Sequence, residues 1–582
     1  MKYFNELPSK TIAAFKRFPI TITWSILGSI YVVLLIATEA RIFDDYTAEM
    51  LTLILGVSWL IGAQFFSESL RDKRIGWLVK LVIIGLLATY YFSFPKEEFL
   101  SNPIIYIRWF LLFLAGHIFV FFAPFLRQWD KIDYWNYLQN IVISIARAAL
   151  FSFVIFGGVA LAILAVDQLF NISINDDIYG QLYVICLGVV NTFIYLSDFP
   201  KKIHNTQELR YSKALDVFLK FILIPILVLY VVIVYAYTVK IVLLWELPQG
   251  WVSYLITILA IIGFIIQIII EPVRKTHPNA LVRKFYPYFY FLLLPLLVLL
   301  FVAIYTRLTD YNFTENRYFL VVLAVWILGI SLYMIISQKK KLSLIPISLF
   351  ILCILASYGP WSAFNVSVRA QAGELKQLVN KIKSQPEELI SFDEASQFRN
   401  IATYLKERDK LHELDATLGF KTSYIENSYS AGKRLLDSLY GGDKAKSITS
   451  HNTYQNDYYY YNQHDYNQQV YLNIEGYQTL VEMHLIRSED HRYQMSHNAN
   501  HLVIKDQENI LIDFDIDAAL IESIKQYQDL DKAPQEELSY SFTNDLGNYK
   551  LILKNLRFNK TSKTSISLIH LDGYLLIETK TN

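Results

Sequence analysis

Long uncharged runs of apolar residues dominate the first 368 residues of this 582-residue chain. A helix needs about 20 such residues to cross a hydrocarbon core of roughly 30 Å. Ile75–Phe94 qualifies because Lys80, near its start, can extend its alkyl stem to the headgroups. The other runs of suitable length are Phe18–Thr38, Met50–Ser67, Trp109–Leu126, Ala148–Val166, Ile178–Ser197, Phe221–Val239, Leu247–Ile270, Phe285–Thr306, Tyr318–Gln338 and Leu342–Val368. The pattern predicts an α-helical polytopic membrane protein with about eleven transmembrane helices in residues 1–368.

From Arg369 the pattern is that of a water-exposed protein. Residues 369–448 have apolar positions at helical spacing, and Ser391 with Glu394 forms a capping box. We interpret residues 449–469, rich in Tyr, Asn and Gln, as a loop, and this composition also allows aggregation-prone disorder.

Residues 470–582 alternate with period two or in short apolar runs, which is typical of strands. The predicted strands lie in VYLNIEGY, TLVEMHLI, HLVIKDQENILIDFDI, YKLILKNLRF and ISLIHLDGYLLIE. Asp572-Gly573, inside the last run, predicts a hairpin turn. The C-terminal part is therefore predicted to be an extramembrane α+β domain that contains a small antiparallel sheet.

Basic residues are unevenly distributed among the loops between the predicted spans. If the N-terminus is cytoplasmic, the loops on that side hold at least twenty Lys and Arg, and the opposite loops and boundaries hold few, among them Arg41, Lys96, Arg108, Arg307 and Arg317. Cytoplasmic loops carry such an excess. With an odd number of spans, we predict a cytoplasmic N-terminus and a periplasmic C-terminal domain in a bacterial inner membrane.

Gly359-Pro360 marks the predicted exit from the membrane, because Pro lacks a backbone donor and restricts the preceding residue. Trp361 suits the interfacial belt. Alternatively, Pro360 kinks a longer helix. At the N-terminus, the basic residues before the first span resemble the basic start of a signal peptide. That span is longer than the usual apolar core of a signal peptide, so we favour an uncleaved helix.

Composition supports a membrane class. The chain is 54% hydrophobic and 18% charged, and its mean hydropathy of +0.31 is high for a soluble protein. A net charge of +1 gives no nucleic-acid signal. Both cysteines, Cys186 and Cys353, lie in apolar runs, which offers nothing for a disulfide, redox or metal role. We expect the protein to lie in a lipid bilayer, and we predict no cofactor.

Polar side chains within the apolar runs are the candidate functional residues, because polar groups are costly at membrane depth. His117, Asn191 and Gln267 lie near the middle of spans, and Lys220 and Lys240 lie at the two ends of the seventh span. His117 could relay protons or pair with Asn191, although a histidine bonded to a neighbouring helix is commoner. The lysines more often anchor a helix. No catalytic residue is predicted.

Seven of the eleven histidines lie between His451 and His570. Among these, His491, His497 and His501 are weak candidates for a metal site. Two histidines four residues apart on one face of a helix can both bind one metal ion. The stretch falls between strand-like runs, so we predict no metal there. The sequence contains no phosphate-binding glycine loop, nucleophile elbow or zincin motif.

Several phrases together resemble an uncharacterised, Bacteroidetes-type family of membrane proteins, the domain of unknown function 4153 family. They are FKRFPITI, LKFILIPILVLYVVIVYAYTVKIVLLWELPQGWVSYL, NRYFLVVLAVWILGISLY, GPWSAFNVSVRAQ and YLKERDKLHEL. The resemblance implies a multi-pass inner-membrane protein and supplies no catalytic residues to transfer. The tract at residues 449–469 does not match the family pattern.

Two function classes fit these observations. In the first, the bundle is a non-enzymatic anchor for an exported domain that binds another envelope protein. In the second, the bundle is a transporter or channel and the exported domain is accessory. Charged groups are scarce in the middle of the spans, and a path for polar cargo usually contains them, which favours the anchor.

Overall fold

The computed structural model describes the chain in two compact units, residues 1–383 with 398–434 and residues 384–397 with 435–582. Residues outside the description are 1, 95–102, 173, 200–202, 205–207, 210, 245–250, 275–279, 338–339, 386–389, 424–430, 441–456, 463–471, 473, 486–491, 499, 508, 528–533, 561–565 and 580–582.

Helices make up nearly all of the first 440 residues. They are α1 (Lys2–Arg17), α2 (Pro19–Ala37), α3 (Ile42–Asp45), α4 (Thr47–Ser69), α5 (Lys73–Phe92), α6 (Pro103–Phe122), α7 (Lys131–Phe170), α8 (Asp177–Val184), α9 (Asn191–Ser197), α10 (Lys213–Phe218), α11 (Ile224–Leu244), α12 (Trp251–Ile270), α13 (Ala280–Tyr311), α14 (Glu315–Ile336), α15 (Leu344–Ser357), α16 (Ala363–Ser384), α17 (Phe392–Lys406), α18 (Asp415–Leu418) and α19 (Ala431–Tyr440).

Within the described residues, ten of these helices or joined helices are long and apolar enough to cross a membrane, and each overlaps one predicted span. The eleventh, α15, has 14 residues and an expected length of about 21 Å, which is shorter than the hydrocarbon core. The structure therefore confirms a polytopic helical membrane protein.

The last predicted run, Leu342–Val368, is not one helix. α15 ends at Ser357, Gly359 has a φ of 93°, and α16 begins at Ala363. Only glycine adopts this φ at little cost, and Pro360 cannot supply the next helical donor. The pair thus ends a helix, and the alternative of a kinked longer helix is wrong.

Two of the membrane helices contain a π-helical segment. Ile185–Val190 joins α8 to α9, and Leu219–Leu223 joins α10 to α11. A π turn leaves part of the backbone ladder without its usual partner, and such turns often mark functional positions. Asn191 and Lys220 lie at these two segments.

The interior of the first unit is packed with aromatic rings. Phe65 contacts the rings of Phe18, Tyr137 and Phe199 with centroids 4.9–5.7 Å apart, mostly edge to face. All four belong to one continuous buried cluster. Edge-to-face pairs add about 0.5–1.5 kcal/mol each to the burial of their area. This part of the bundle is a close-packed core.

The second unit contains two antiparallel sheets and the helix α20 (Ile516–Tyr527), together with the start of α17 and the end of α19. The five-stranded sheet has the order β1-β7-β8-β2, with β6 also paired to β7, and the second sheet has the order β3-β4-β5. The strands are β1 (Asp457–Asn462), β2 (Thr479–His484), β3 (Tyr493–Asn498), β4 (His501–Asp506), β5 (Asn509–Asp515), β6 (Ser539–Asn544), β7 (Gly547–Lys560) and β8 (Ile566–Thr579). The prediction of a C-terminal antiparallel sheet is confirmed.

Asp572-Gly573 does not form the predicted hairpin turn. Both residues lie inside the continuous strand β8, where Gly573 pairs with Met483 on one side and Leu553 on the other. A Cβ atom at Gly573 would lie 2.6 Å from the carbonyl oxygen of Ile552. The glycine is therefore needed for close strand approach, and local turn chemistry gave the wrong result.

The polar tract also differs from the loop predicted there. Asp457–Asn462 forms β1, which pairs with residues 555–560 of β7, and the rest of the tract lies outside the described residues. Tyrosine favours strands, and β7 is long enough to offer β6 and β1 successive places along one side. The described part of VYLNIEGY is irregular.

Candidate functional site

The polar candidates of the bundle do not meet in one place. His117 lies on the exposed face of α6, where its Nδ1 is 2.8 Å from the carbonyl oxygen of Phe113, one turn earlier. Its ring contacts that of Phe113 with centroids 4.2 Å apart. No hydrogen bond joins it to Asn191 in the described structure. The described contacts of His117 are local, and its pairing with Asn191 stays a prediction.

Asn191 itself is half-buried, but its neighbours form a polar contact that the sequence did not reveal. Ser25 on α2 donates to the carbonyl oxygen of Gly188 at 2.5 Å, and its oxygen lies 3.2 Å from the hydroxyl of Thr192, which can donate to it. Gly188 belongs to the π-helical segment, and a Cβ atom there would lie 2.1 Å from the hydroxyl oxygen of Ser29. Small residues let the two helices approach closely enough for these bonds.

The two lysines of the seventh span have different surroundings. Lys220 is 2.5 Å from the carboxylate of Asp216, one turn earlier, and both side chains are largely buried. Lys240 is exposed. Lys220 is therefore part of an ion pair beside the second π-helical segment, whereas Lys240 fits an anchor at the bundle surface.

Gln267 belongs to a cluster of charged, amide and tyrosine side chains, which we call the Glu271 cluster. It comprises Lys131, Gln267, Glu271, Arg274, Tyr286, Tyr290 and Lys340. The elements that supply them are the first residue of α7, the end of α12 with the turn that follows it, α13, and the segment between α14 and α15. This is the end of the bundle that the charge pattern predicts to face the cytoplasm.

Glu271 is the centre of this cluster and is 1% exposed. Lys131 Nζ lies 2.8 Å from Oε1, and Arg274 Nη1 lies 3.4 Å from Oε2. Oε2 nevertheless accepts no hydrogen bond from the described residues. A buried carboxylate oxygen without a donor is costly, so this site has unused hydrogen-bonding capacity.

Three further buried atoms of the cluster have no hydrogen-bond partner in the described structure. They are Oε1 of Gln267 and the hydroxyls of Tyr286 and Tyr290. The amide nitrogen of Gln267 donates to the backbone oxygen of Tyr286 at 3.2 Å, which leaves the amide oxygen unpaired. The Tyr286 hydroxyl lies beside Glu271, so a small shift can pair these two groups, and the cluster keeps more polar capacity than a packed core normally contains.

The cluster carries three cationic groups and one carboxylate. Arg274 and Lys340 lie over the ring of Tyr286 at 5.1 and 4.9 Å from its centroid. Burial, and then repulsion by Arg274, lowers the pKa of Lys340. The local balance is positive, and the free acceptors and hydroxyls can bind water, a proton or a small polar group.

A second buried carboxylate lies at the start of α14, and we call its surroundings the Glu315 clamp. The hydroxyl of Tyr404 and Nε of Arg408 each donate to Oε1 of Glu315 at 2.8 Å. The guanidinium of Arg408 also lies 3.5 Å from the centroid of the Tyr404 ring. Burial, and then Glu315, raises the pKa of Tyr404. The clamp ties α17 to α14 within the first unit.

Histidines of the second unit are paired with aspartates in the described structure. His497 lies 3.0 Å from the buried Asp517, and His501 lies 2.7 Å from Asp513. Both histidines are on strands, so the helical HxxxH arrangement is absent from this stretch. His491 lies outside the described residues. No group of three or more metal-ligating side chains with suitable geometry occurs among the described residues.

Asp572 has two histidine partners, with His484 at 2.8 Å from one oxygen and His570 at 2.9 Å from the other. Burial on its own would raise the pKa of Asp572, but hydrogen bonds from His484 and Asn555 and the nearby histidine charges hold it below its ordinary value. The register of β2, β7 and β8 places these groups side by side.

Sequence comparison adds a family but no activity. The family described as "Domain of unknown function (DUF4153)" matches residues 50–382. The chain is also 27% identical over 284 residues to Uncharacterized protein PM1469 of Pasteurella multocida (strain Pm70), an alignment that covers 49% of this chain and 47% of that protein. The chain thus spans about half the length of this relative. No solved structure matches the chain.

Proposed function

Since the chain belongs to the DUF4153 family, a family described without an activity, we propose a function from the geometry of its two units. We propose that it is a non-enzymatic envelope protein of a bacterial inner membrane. In this proposal the helical bundle anchors a periplasmic C-terminal domain, which binds another envelope component.

The main support for a binding role is that the second unit has a hydrophobic core of its own. Leu502, Leu551, Leu553 and Leu575 are fully buried within that unit. In contrast, Leu480 on β2, the end strand of the five-stranded sheet, is 44% exposed. Just after β2, Leu485 forms an isolated bridge with Met495 of β3, so the open part of this edge in the described structure lies around Leu480. Partners commonly add a strand to such an edge.

The anchoring role is supported by the positions of charged and polar groups in the bundle. Charged side chains at the ends of the predicted spans pair with one another, for example Arg17 with Glu68 and Arg147 with Asp198, each at 2.7 Å. The mid-span candidates His117, Asn191 and Gln267 lie on three different helices, with no hydrogen bond between any two of them in the described structure. A continuous polar path would instead bring such groups together.

The orientation can be tested by fusion after Asn582. Alkaline phosphatase should be active there, because it folds only where disulfides form. A fluorescent protein that matures only in the cytoplasm should stay dark at the same position. The opposite pair of results would contradict the periplasmic assignment, and Ile75–Phe94 would be the first span to reconsider.

Binding can be tested by photo-crosslinking in intact cells. A photoreactive residue at Leu480 should give one discrete adduct, and the same residue at the exposed Asp545, in the β6–β7 turn, is the matched control. The adduct at position 480 should weaken when Glu482, two residues further along β2, is replaced by proline, because proline removes an edge donor. If adducts are absent or equal at the two positions, β2 is not the binding edge.

The transporter alternative rests on the Glu271 cluster. Its four unpaired buried atoms and its positive balance are compatible with transient binding of a proton or a small anion. In proteoliposomes, the purified chain should then permit a proton or anion flux that Glu271→Gln abolishes. A flux of this kind would favour transport over anchoring.

A further inference from the structure

An apolar groove between α2, α4 and α5 is separate from the Glu271 cluster and from the second unit. It has a volume of about 510 Å³ and is lined by apolar and aromatic side chains such as Trp24, Leu27, Leu53 and Ala88. This volume lies in the range of sites for small ligands, about 300–1,000 Å³. The three helices are all long and apolar enough to cross a membrane, so the groove lies at membrane depth.

The length of the groove matches one leaflet of a bilayer. On α5 its lining extends from Ile84 to Phe92, which corresponds to about 12 Å at 1.5 Å per residue. One leaflet contributes about 15 Å of hydrocarbon. At the inner end, the indole of Trp24 donates to the backbone oxygen of Leu53 at 2.9 Å, which fixes the ring across the groove. A single acyl chain fits these dimensions.

The outer end of the groove carries a carboxylate without a cationic partner. Glu49 lies in the first turn of α4 and accepts a hydrogen bond from the hydroxyl of Tyr91 at 2.9 Å. Within the described structure, no lysine or arginine lies at ion-pair distance from it. Tyr31 lines the same end. A half-buried anion among tyrosines at the groove mouth suits a cationic group that can donate hydrogen bonds.

Thr52 supplies a second polar group that points to a ligand. It lines the groove, is 6% exposed, and its hydroxyl has no partner among the described residues. Buried threonines elsewhere in the bundle bond back to their own helix, as Thr257 does to Ser253 at 2.7 Å. Thr52 lies three residues from Glu49, about 4.5 Å further along α4. An acceptor is therefore expected just inside the groove mouth.

We propose that the groove binds one glycerophospholipid with an ammonium headgroup. One acyl chain fills the apolar part, the Thr52 hydroxyl donates to an ester carbonyl, and Glu49 pairs with the ammonium. A primary ammonium, as in an ethanolamine headgroup, donates hydrogen bonds to the carboxylate, whereas a choline headgroup lacks N–H donors. An anionic glycerol headgroup is repelled by Glu49.

The test is native mass spectrometry of the delipidated full-length protein in detergent, titrated with phospholipids of identical chains and different headgroups. The first ethanolamine lipid should bind about tenfold more tightly than the glycerol lipid, as expected for one charge-assisted hydrogen bond. Glu49→Gln should remove this preference and retain binding of the chain. Equal affinities of the unmodified protein for all three headgroups would overturn the headgroup assignment.

Ala88→Trp tests the groove, because it places a large ring in the space for the chain and should weaken binding of all three lipids at least tenfold. Leu86→Trp is the matched control, since Leu86 is 57% exposed and lies on the opposite face of the same helix from the groove lining. Leu27→Trp, from α2, replaces Ala88→Trp if that variant does not fold. If the groove variants bind lipid as the control does, the lipid is bound elsewhere on the surface and the proposal is wrong.

Discussion

Glu315 and Glu271 are two of the buried carboxylates of the first unit, and they are satisfied to different degrees. Glu315 is 5% exposed and receives hydrogen bonds from Tyr404 and Arg408 on the same oxygen. Glu271 is 1% exposed and has two cationic neighbours, but one of its oxygens accepts no hydrogen bond from the described residues. Burial alone therefore does not distinguish a structural carboxylate from one that can take part in chemistry.

The comparison indicates different roles for the two sites. A buried ion pair with good geometry is strongly coupled to folding, because loss of one partner leaves an uncompensated charge. The Glu315 clamp has this character. The Glu271 cluster keeps unpaired groups at a stability cost, and such costs are typical of functional sites.

The largest effect is expected from Arg408→Ala in the Glu315 clamp. The change leaves Glu315 buried with Tyr404 as its remaining donor, which should cost about 3–5 kcal/mol. Thermal unfolding of the purified protein in detergent measures the loss. The neighbouring Glu407→Gln is the control. Glu407 forms a 3.6 Å ion pair with Arg408, but its side chain is 55% exposed, so loss of this pair should change stability little. Equal stability of both variants would show that the clamp is not structural.

A smaller loss is expected from Glu271→Gln. Lys131 is 38% exposed and can turn to water, and the amide retains an acceptor, so we expect a loss of about 1–2 kcal/mol. The same thermal assay compares it with Arg408→Ala. If Glu271→Gln is as damaging as Arg408→Ala, the two carboxylates have the same role and the distinction fails.

The Glu271 cluster was only partly predictable from the sequence. Gln267 stood out because it interrupts an apolar run. Glu271 and Arg274 fall just after that run, where charged residues are normally solvated, and their burial depends on packing with α7 and α13. The hydroxyls of Tyr286 and Tyr290 carried no signal, since tyrosine is common in such helices.

The same contrast holds for the fold. The membrane helices were predictable because the bilayer imposes a length of about 20 apolar residues on each. Asp572-Gly573 was misread as a turn because strand pairing on both sides of β8 outweighs its local turn preference. The length of α15 and the two π-helical segments depend on contacts between helices, and a hydropathy pattern does not contain them.

Asp572, a buried carboxylate of the second unit, extends the comparison of buried carboxylates because its contribution to stability should depend on pH. The pKa of Asp572 is held below its ordinary value near 3.8. Its contribution to stability is therefore present above that ordinary value and is lost as the pH falls through the lower, folded-state value. Hydrogen exchange of β8, corrected for intrinsic rates, should show protection that declines at acidic pH. Asp572→Asn should weaken protection at neutral pH and flatten this decline, and an unchanged profile would contradict the assignment.

The smallest effect is expected from His117→Leu. The His117 ring lies on the exposed face of α6 and contacts only its own helix in the described structure. Its loss should therefore change the free energy of unfolding by no more than about 0.5 kcal/mol. Gln267→Leu is the matched comparison, because it removes a buried donor from the backbone oxygen of Tyr286 and should cost about 1–3 kcal/mol. Both are measured by thermal unfolding in the same detergent. A large loss at His117 would mean that this histidine has a partner in the membrane, and would return it to the candidates for a polar path.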